Sequence, residues 1–150
     1  MRRARPIWKL ALVAALSAVG PAVVADPAAP GPAFLIIVHP TNNVGAVDRD
    51  FVRDAFLKKV ATWRNNETIR PVDLQRRLPL RARFTRDLLQ KTPTQLRSYW
   101  NRLIFSGKGV PPPELASEEA VVAYVLANRG AVGYVSPGTN PRGAKVIRLK

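Results

Sequence analysis

Three arginines lie close together just before and inside a helix that the sequence predicts. They are Arg76, Arg77 and Arg81, and a guanidinium group can hold an oxyanion through two parallel hydrogen bonds. The start of a helix adds unpaired backbone N–H groups and partial positive charge. The stretch therefore predicts an anion-binding site. The alternative is a solvated basic face on an amphipathic helix.

Neutral hydrogen-bond donors follow a predicted buried strand. Thr41 and Asn42 come shortly after the apolar run Phe34–Val38, and open α/β sheets usually bind ligands at the carboxyl ends of their strands. Their hydroxyl and amide groups are therefore predicted to contribute to ligand binding. The alternative is turn chemistry, because asparagine tolerates left-handed backbone and caps loops.

The residue types on which most enzymes depend are scarce. His39 is the single histidine and there is no cysteine, so the sequence offers no His/Cys cluster for a metal. No Gly-x-Ser-x-Gly elbow is present to build a serine nucleophile beside that histidine. The turn at 106–109 follows a helical pattern and lacks the spacing of a phosphate-binding loop. We predict a non-enzymatic protein with no catalytic residue, metal or cofactor.

The first 25 residues have the pattern of a secretory signal peptide. A basic start precedes the apolar run Leu10–Val19, and Val23–Ala25 supplies the short side chains that a signal peptidase reads. We predict cleavage after Ala25 and a periplasmic or otherwise exported protein. The alternative, an uncleaved membrane anchor, is disfavoured because a span needs about 20 apolar residues and this run is shorter.

Removal of that segment leaves a strongly basic chain. The protein carries 24 Lys and Arg against 10 Asp and Glu, and four of the basic residues and none of the acidic ones precede residue 26. The mature net charge is therefore +10. Such an excess favours anionic partners, which include phosphate-like inorganic anions, lipid headgroups, cell-wall polymers and nucleic acid. Nucleic acid is the least expected partner of an exported protein.

The remaining sequence predicts one α/β domain. Residues 26–33 are a Pro-rich lead-in, and residues 34–150 alternate strand and helix patterns. The predicted strands are 34–38, 68–73, 131–135 and 146–149, and Pro71 favours a sheet edge. The predicted helices begin at Asp48 or Asp50, near Leu80, at Thr92 and at Ser117. The order β-α-β-α-α-α-β-β indicates a mainly parallel sheet flanked by helices.

The helix that begins at Thr92 has the clearest pattern of the four. Thr92 and Gln95 form a capping box around Pro93. Its apolar stripe is predicted to pack in the core, and that stripe consists of Leu96, Tyr99, Trp100, Leu103 and Ile104.

Three stretches of the sequence carry a family resemblance. They are Phe56–Trp63, Tyr99–Gly109 and Gly130–Val135. In this order they resemble small relatives of the phosphate-transporter substrate-binding proteins. In that family a helix ends in a Phe-x-Gly-Lys-x-x-x-Trp-like turn, a later helix carries Tyr-Trp, and a Gly-Ala-Ile-Gly-Tyr strand follows. The resemblance runs from about Phe34 to Val135 and implies a single lobe of the type II periplasmic-binding-protein fold.

The resemblance also implies a kind of ligand. In full-length members of the family an oxyanion lies in a cleft between two lobes, held by helix N-termini and by Ser, Thr and Arg side chains. The anion-reading stretch there has an Arg-x-x-x-Ser-Gly-Thr character. The matching place here, Asp73–Arg81, lacks Ser-Gly-Thr but contains the three arginines. Because one lobe presents half a cleft, it would bind a ligand weakly unless a homodimer or another protein supplies the second wall.

Two functions fit these observations. The first is an exported, non-enzymatic binding protein resembling the phosphate-binding component of an ABC transporter, with its ligand held by Arg76, Arg77, Arg81, Thr41 and Asn42. The second is an interaction module that keeps the fold, has lost small-anion binding, and docks an envelope protein, lipid or cell-wall polymer through its basic surface.

Overall fold

The computed structural model describes residues 31–150, so the predicted signal peptide and most of the lead-in lie outside the described residues. Residues 31–150 form four α-helices and seven β-strands. The helices are α1 Arg49–Phe56, α2 Pro79–Asp87, α3 Pro93–Phe105 and α4 Glu118–Ala127. The strands are β1 Leu35–Val38, β2 Ala46–Val47, β3 Arg70–Pro71, β4 Asp73–Leu74, β5 Glu114–Leu115, β6 Ala131–Val135 and β7 Lys145–Leu149.

The central sheet has the first strand of the domain in its middle. Within residues 31–150 the strand order of this sheet is β2-β7-β1-β6-β3. β1 pairs antiparallel with β6 and β7, whereas β2 pairs parallel with β7 and β3 pairs parallel with β6. Four of its five strands therefore run in one direction. The predicted mainly parallel sheet is confirmed, with the difference that its central strand is reversed.

The predicted strand 68–73 divides into two strands that belong to different sheets. β3 lies at the edge of the central sheet, as Pro71 indicated. β4 instead pairs parallel with β5, with Asp73 opposite Glu114. Between them Val72 donates its N–H to the Val132 carbonyl at 2.9 Å. β2 and β5 were not predicted, because strands of two residues are too short to show an alternating pattern.

Aromatic rings fill the space between the central sheet and two helices. Tyr134 of β6 stacks on Phe84 of α2 with ring centroids 3.7 Å apart. Phe34 and Phe56 approach both rings edge-on, and all four side chains are buried. Aromatic pairs add about 0.5–1.5 kcal/mol each beyond the burial of their area, so this cluster fixes α1 and α2 against β6.

Helix α3 begins as predicted but extends beyond the core. The Gln95 N–H donates to Thr92 Oγ1 at 3.2 Å and the Thr92 N–H donates to Gln95 Oε1 at 2.9 Å, which confirms the capping box. Leu96 and Trp100 are buried as predicted. Ile104, however, is 46% exposed. Its prediction as a core residue is wrong because the last turn of α3 continues past the surface on which the helix packs.

Close backbone packing explains the glycines of the stretch 130–135. Gly130 has a φ of +76°, and a Cβ at this position would lie 2.1 Å from the Thr68 carbonyl oxygen. A Cβ on Gly133 would lie 2.5 Å from Val121 Cγ1 of α4. The buried Trp63 donates its Nε1–H to the Gly130 carbonyl at 3.0 Å and so joins the turn after α1 to the start of β6. The stretches Phe56–Trp63 and Gly130–Val135 therefore contribute to the packing of the fold.

The turn after α1 is a Schellman motif with lysine at the position that usually holds glycine. Lys58 has a φ of +55°. Its N–H donates to the Ala55 carbonyl at 3.1 Å, and the Lys59 N–H donates to the Asp54 carbonyl at 2.8 Å. A left-handed conformation costs a residue with a side chain about 1 kcal/mol, so Lys58 stores strain.

We expect Lys58→Gly to raise the free energy of unfolding by about 0.5–1 kcal/mol, because glycine adopts this φ without strain. Lys59→Gly is the matched control, since it removes the same charge at a neighbouring residue and should be neutral or destabilising. Urea unfolding of the two variants measures the difference. An equal effect of both substitutions would contradict the assignment of strain to Lys58.

A carboxylate at the start of α4 holds the turn between β6 and β7. Glu118 Oε2 accepts hydrogen bonds from the Ser136 N–H and Oγ–H, both at 2.7 Å, and from the Thr139 hydroxyl at 2.5 Å. Burial acts to raise the pKa of Glu118, but these donors outweigh it, so the pKa lies below its ordinary value.

We expect Glu118→Gln to lower the free energy of unfolding by about 1 kcal/mol at pH 7. Because the folded-state pKa lies below the unfolded value, the stabilisation by Glu118 is present above about pH 4.5 and is lost as the pH falls through the folded pKa. Urea unfolding at pH values from neutral to acidic measures this, with the exposed Glu119→Gln as control. If the difference in unfolding free energy between Glu118→Gln and wild type did not change with pH, the stabilising role of the Glu118 carboxylate would be refuted.

Candidate functional site

A pocket of about 270 Å³ opens between the start of α2, one face of α3 and the segment that leads into β5. Its apolar lining consists of Ala82, Pro93, Leu96, Trp100, Ile104, Pro111 and Pro112. Its polar lining consists of Asp73, Arg76, Arg81, Thr85, Arg97, Asn101 and Glu114. The fold therefore brings two of the predicted site residues, Arg76 and Arg81, into one pocket and adds a third guanidinium group from α3.

A buried ion pair forms part of the polar wall of this pocket. Arg81 Nη2 lies 2.9 Å from Asp73 Oδ2, and both side chains are almost completely buried. Arg81 Nη1 also donates to Thr85 Oγ1 at 2.8 Å. The other carboxylate oxygen, Asp73 Oδ1, accepts from the Tyr134 hydroxyl at 2.5 Å and from the Leu74 N–H at 2.8 Å. The network joins β4, α2 and β6.

The protonation of the network follows from its burial. Burial raises the pKa of Asp73 above its ordinary value, while the Arg81 guanidinium, the Tyr134 hydroxyl and the Leu74 N–H oppose that rise by favouring the carboxylate. Burial also raises the pKa of Tyr134, and the adjacent Asp73 raises it further. Tyr134 therefore stays protonated at physiological pH and donates its hydrogen to Asp73.

Exposed arginines stand at the rim of the pocket. Arg76 Nε lies 3.2 Å from Glu114 Oε1, but the Arg76 side chain is 76% exposed, so this ion pair is weak. Arg97 of α3 lines the pocket and is exposed. Both guanidinium groups can turn toward a ligand at little cost, because neither is tied into a buried network.

The other predicted site residues lie elsewhere. Arg77 is exposed and its Nε donates to Gln75 Oε1 at 2.9 Å. Thr41 is exposed and its hydroxyl lies 2.7 Å from His39 Nδ1. Asn42 is buried and its Oδ1 accepts from the Val44 N–H at 2.9 Å, which is the turn chemistry considered above. The participation of these three residues in ligand binding stays a prediction.

Asn42 belongs to a second pocket, of about 370 Å³, which shares no lining residue with the first. Its lining consists of residues 42–48, Phe51, Trp63, Arg64, Asn65 and Lys150. Asn42 Nδ2 is buried there without a hydrogen-bond partner among residues 31–150. Asn42, one of the neutral donors predicted after β1, therefore lies in a different pocket from Arg76 and Arg81.

Sequence reasoning missed Asp73, Thr85 and Arg97 as members of the first pocket. A signal existed for two of them. Thr85 lies four residues after Arg81, so both project from the same face of α2. Arg97 follows the buried Leu96 directly, at the edge of the stripe by which α3 packs. The sequence contains no signal for the pairing of Asp73 with Arg81. That pairing depends on the position of β4, which is set by its pairing with β5 in the small second sheet.

Residues 31–150 contain no group of three or more His, Cys, Asp or Glu residues that could hold a metal ion. In the same range, no helix has the length and apolar character needed to cross a membrane.

Comparison with known proteins identifies the fold. No protein-family model and no curated sequence matches this chain. Solved structures do match: an ABC-type phosphate transport receptor from Vibrio cholerae (TM-score 0.61, 19% identity, 78% of this chain and 46% of that one) and PstS from Borrelia burgdorferi (TM-score 0.62, 11% identity, 79% and 47%). A Clostridium perfringens structure of the phosphate ABC transporter substrate-binding class, with bound phosphate, is similar (TM-score 0.62, 16% identity, 78% and 44%).

The chain spans less than half the length of each of these proteins. The resemblance inferred from the three sequence stretches is therefore confirmed at the level of fold, and the match corresponds to a single lobe. At identities of 11–19% the likeness shows the fold alone.

We expect Arg81→Met to lower the free energy of unfolding by about 3 kcal/mol, because it leaves the Asp73 carboxylate buried without its cation. The loss should shrink as the pH falls, since a protonated Asp73 needs no cation. The double variant Arg81→Met/Asp73→Asn should recover much of the loss because it removes both charges.

Urea unfolding of these variants between neutral and acidic pH tests the role of the pair. Arg83→Met is the matched control, because Arg83 is exposed on the same helix and its substitution should change stability little. A double variant as unstable as Arg81→Met at neutral pH would contradict the role assigned to the buried charge.

Proposed function

We propose that this protein, whose fold is that of one lobe of phosphate-transport receptors, is an exported, non-enzymatic binding protein for a small anion. The proposed site is the pocket lined by Arg76, Arg81 and Arg97. Two independent considerations support it: the fold is shared with a structure that contains bound phosphate, and the pocket gathers three guanidinium groups. In this function the protein would deliver the bound anion to an ABC transporter.

The observation that carries the proposal is the incomplete bonding of Arg81. A guanidinium group has five N–H donors. The contacts to Asp73 and Thr85 use one N–H on each Nη nitrogen, and Arg81 Nε is buried without a partner among residues 31–150. A buried cation with unused donors on the wall of a pocket is a favourable partner for an anion.

The exposed rim supplies the remaining positive charge. Arg76 and Arg97 can each add a charge-assisted hydrogen bond, worth about 1.5–3 kcal/mol when the pair is shielded from water. The pocket is open on one side, so part of this energy is lost to screening. We therefore expect weak binding by one lobe alone, and tighter binding where a second copy or another protein covers the open side.

We expect phosphate, sulfate and acetate, titrated calorimetrically at low ionic strength, to bind saturably to the purified protein. Arg76→Ala and Arg97→Ala should each weaken this binding about tenfold, by the loss of one charge-assisted bond. Arg77→Ala is the control, because it removes the same charge from a neighbouring residue that does not line the pocket. It should leave the affinity unchanged if the anion binds in the pocket, and should lower it if the anion binds to the basic surface in general.

Three results would contradict the pocket as the site. The first is the absence of binding by every anion. The second is an equal loss of affinity in Arg77→Ala, which would favour the whole basic surface. The third is a loss in Arg64→Ala with no change in Arg76→Ala, which would move the site to the second pocket.

A second function, docking to an anionic envelope component, is favoured by a different observation. Ile104, Phe105 and Val110 are exposed large apolar side chains, and Phe105 is 89% exposed. No acidic residue occurs between Asp87 and Glu114. Co-sedimentation with anionic vesicles tests this function, because electrostatic docking should weaken as salt is added. If vesicle binding changed neither with added salt nor in the Phe105→Gln variant, this second function would be contradicted.

A further inference from the structure

The first pocket is larger than an inorganic oxyanion needs. Its volume of about 270 Å³ lies near the lower end of small-molecule pockets, roughly 300–1,000 Å³. A water molecule occupies about 30 Å³, so an oxyanion of five heavy atoms takes on the order of 150 Å³ at most. The space that is left adjoins Trp100 and Pro112, where water finds few hydrogen-bond partners. An apolar ligand group would fill that space more favourably.

The charges of the pocket match one negative charge better than two. The pocket is lined by the guanidinium groups of Arg76, Arg81 and Arg97 and by the carboxylates of Asp73 and Glu114, which leaves an excess of one positive charge. A monoanion balances this excess. A second negative charge on the ligand would meet the Glu114 carboxylate without a further cation to compensate it.

The apolar wall is held rigidly before any ligand arrives. Trp100 is buried except for a small edge and packs edge-on against Tyr99, with ring centroids 5.0 Å apart. The Tyr99 hydroxyl is fixed by a 2.7 Å hydrogen bond to the Leu57 carbonyl. A preorganised wall lowers the entropic cost of binding. The half-exposed Ile104 completes this wall near the solvent.

We propose that the pocket binds an organic monocarboxylate with an aromatic or branched apolar body. The carboxylate faces Arg76, Arg81 and Arg97, and the body packs against Trp100 and Ile104. This assignment rests on the proposed anion-binding function and adds the chemical class of the ligand. It also gives a role to the exposed Ile104, which the core does not use.

Four probe ligands separate the contributions of the carboxylate and of the apolar body to the binding affinity. Phenylacetate carries both, acetate has the same carboxylate without the ring, phenylacetamide has the ring without the charge, and inorganic phosphate has the charge alone. We expect phenylacetate to bind at least about tenfold more tightly than each of the others, which corresponds to about 1.4 kcal/mol of apolar contact or of charge pairing. Calorimetry or NMR titration of the purified protein measures the four affinities.

A matched pair of variants tests whether the phenyl ring of phenylacetate lies against Ile104 in the pocket. Ile104→Gln should weaken phenylacetate about fivefold and leave acetate unchanged, because Ile104 contacts only the apolar part of the ligand. Phe105→Gln makes a similar change at the next residue, which does not line the pocket, and should leave both affinities unchanged. Both side chains are exposed, so neither variant threatens the fold.

The outcomes separate this inference from the proposed function. Phenylacetate binding no tighter than acetate, with Arg76-dependent anion binding intact, overturns the ligand class and leaves the proposed function standing. Absence of binding by every anion overturns both. Phenylacetate affinity that falls in Phe105→Gln and not in Ile104→Gln overturns the placement of the ring in this pocket.

Discussion

The buried pair of Asp73 and Arg81 is the interaction on which the rest of the site depends. It links the small second sheet to α2, and through the Tyr134 hydroxyl it reaches the central sheet. Burying two charges is expensive, and only close geometry with further hydrogen bonds compensates that cost. The pair therefore contributes less to net stability than to fixing one arrangement of three elements, and that arrangement creates the pocket beside it.

The same pair gives the proposed anion site a different basis from the Ser-Gly-Thr stretch that the resemblance led one to expect. Hydroxyl groups and a glycine at a helix start provide neutral donors and close backbone approach. Here the corresponding stretch provides a buried guanidinium group, oriented by Asp73 and Thr85, and the exposed Arg76, while α3 adds the exposed Arg97. In the proposed site, recognition by cations in place of neutral donors would relax the demand for one oxyanion geometry and make the match of net charge more important.

Periodicity and capping were sufficient to predict most of the fold from the sequence. α3 could be predicted at its first residue because Thr92, Pro93 and Gln95 are local signals. The division of 68–73 between two sheets could not, because it depends on where β5 lies, far along the chain. The arginines show the same limit: residue type made Arg76, Arg77 and Arg81 candidates alike, but only tertiary structure distinguishes the buried Arg81 from Arg77 at the surface.

The central position of β1 has a consequence for how the chain reaches its native state. Ile36 lies opposite Tyr134 on one side and Ile147 on the other, so the first strand of the domain finds both neighbours near the carboxyl terminus. Contacts of such long sequence separation slow folding, because a large loop must close before they form. During synthesis β1 has no partner until nearly the whole domain has been made. An apolar strand thus stays unpaired through most of translation, and the central sheet cannot be completed until β6 and β7 have been synthesised.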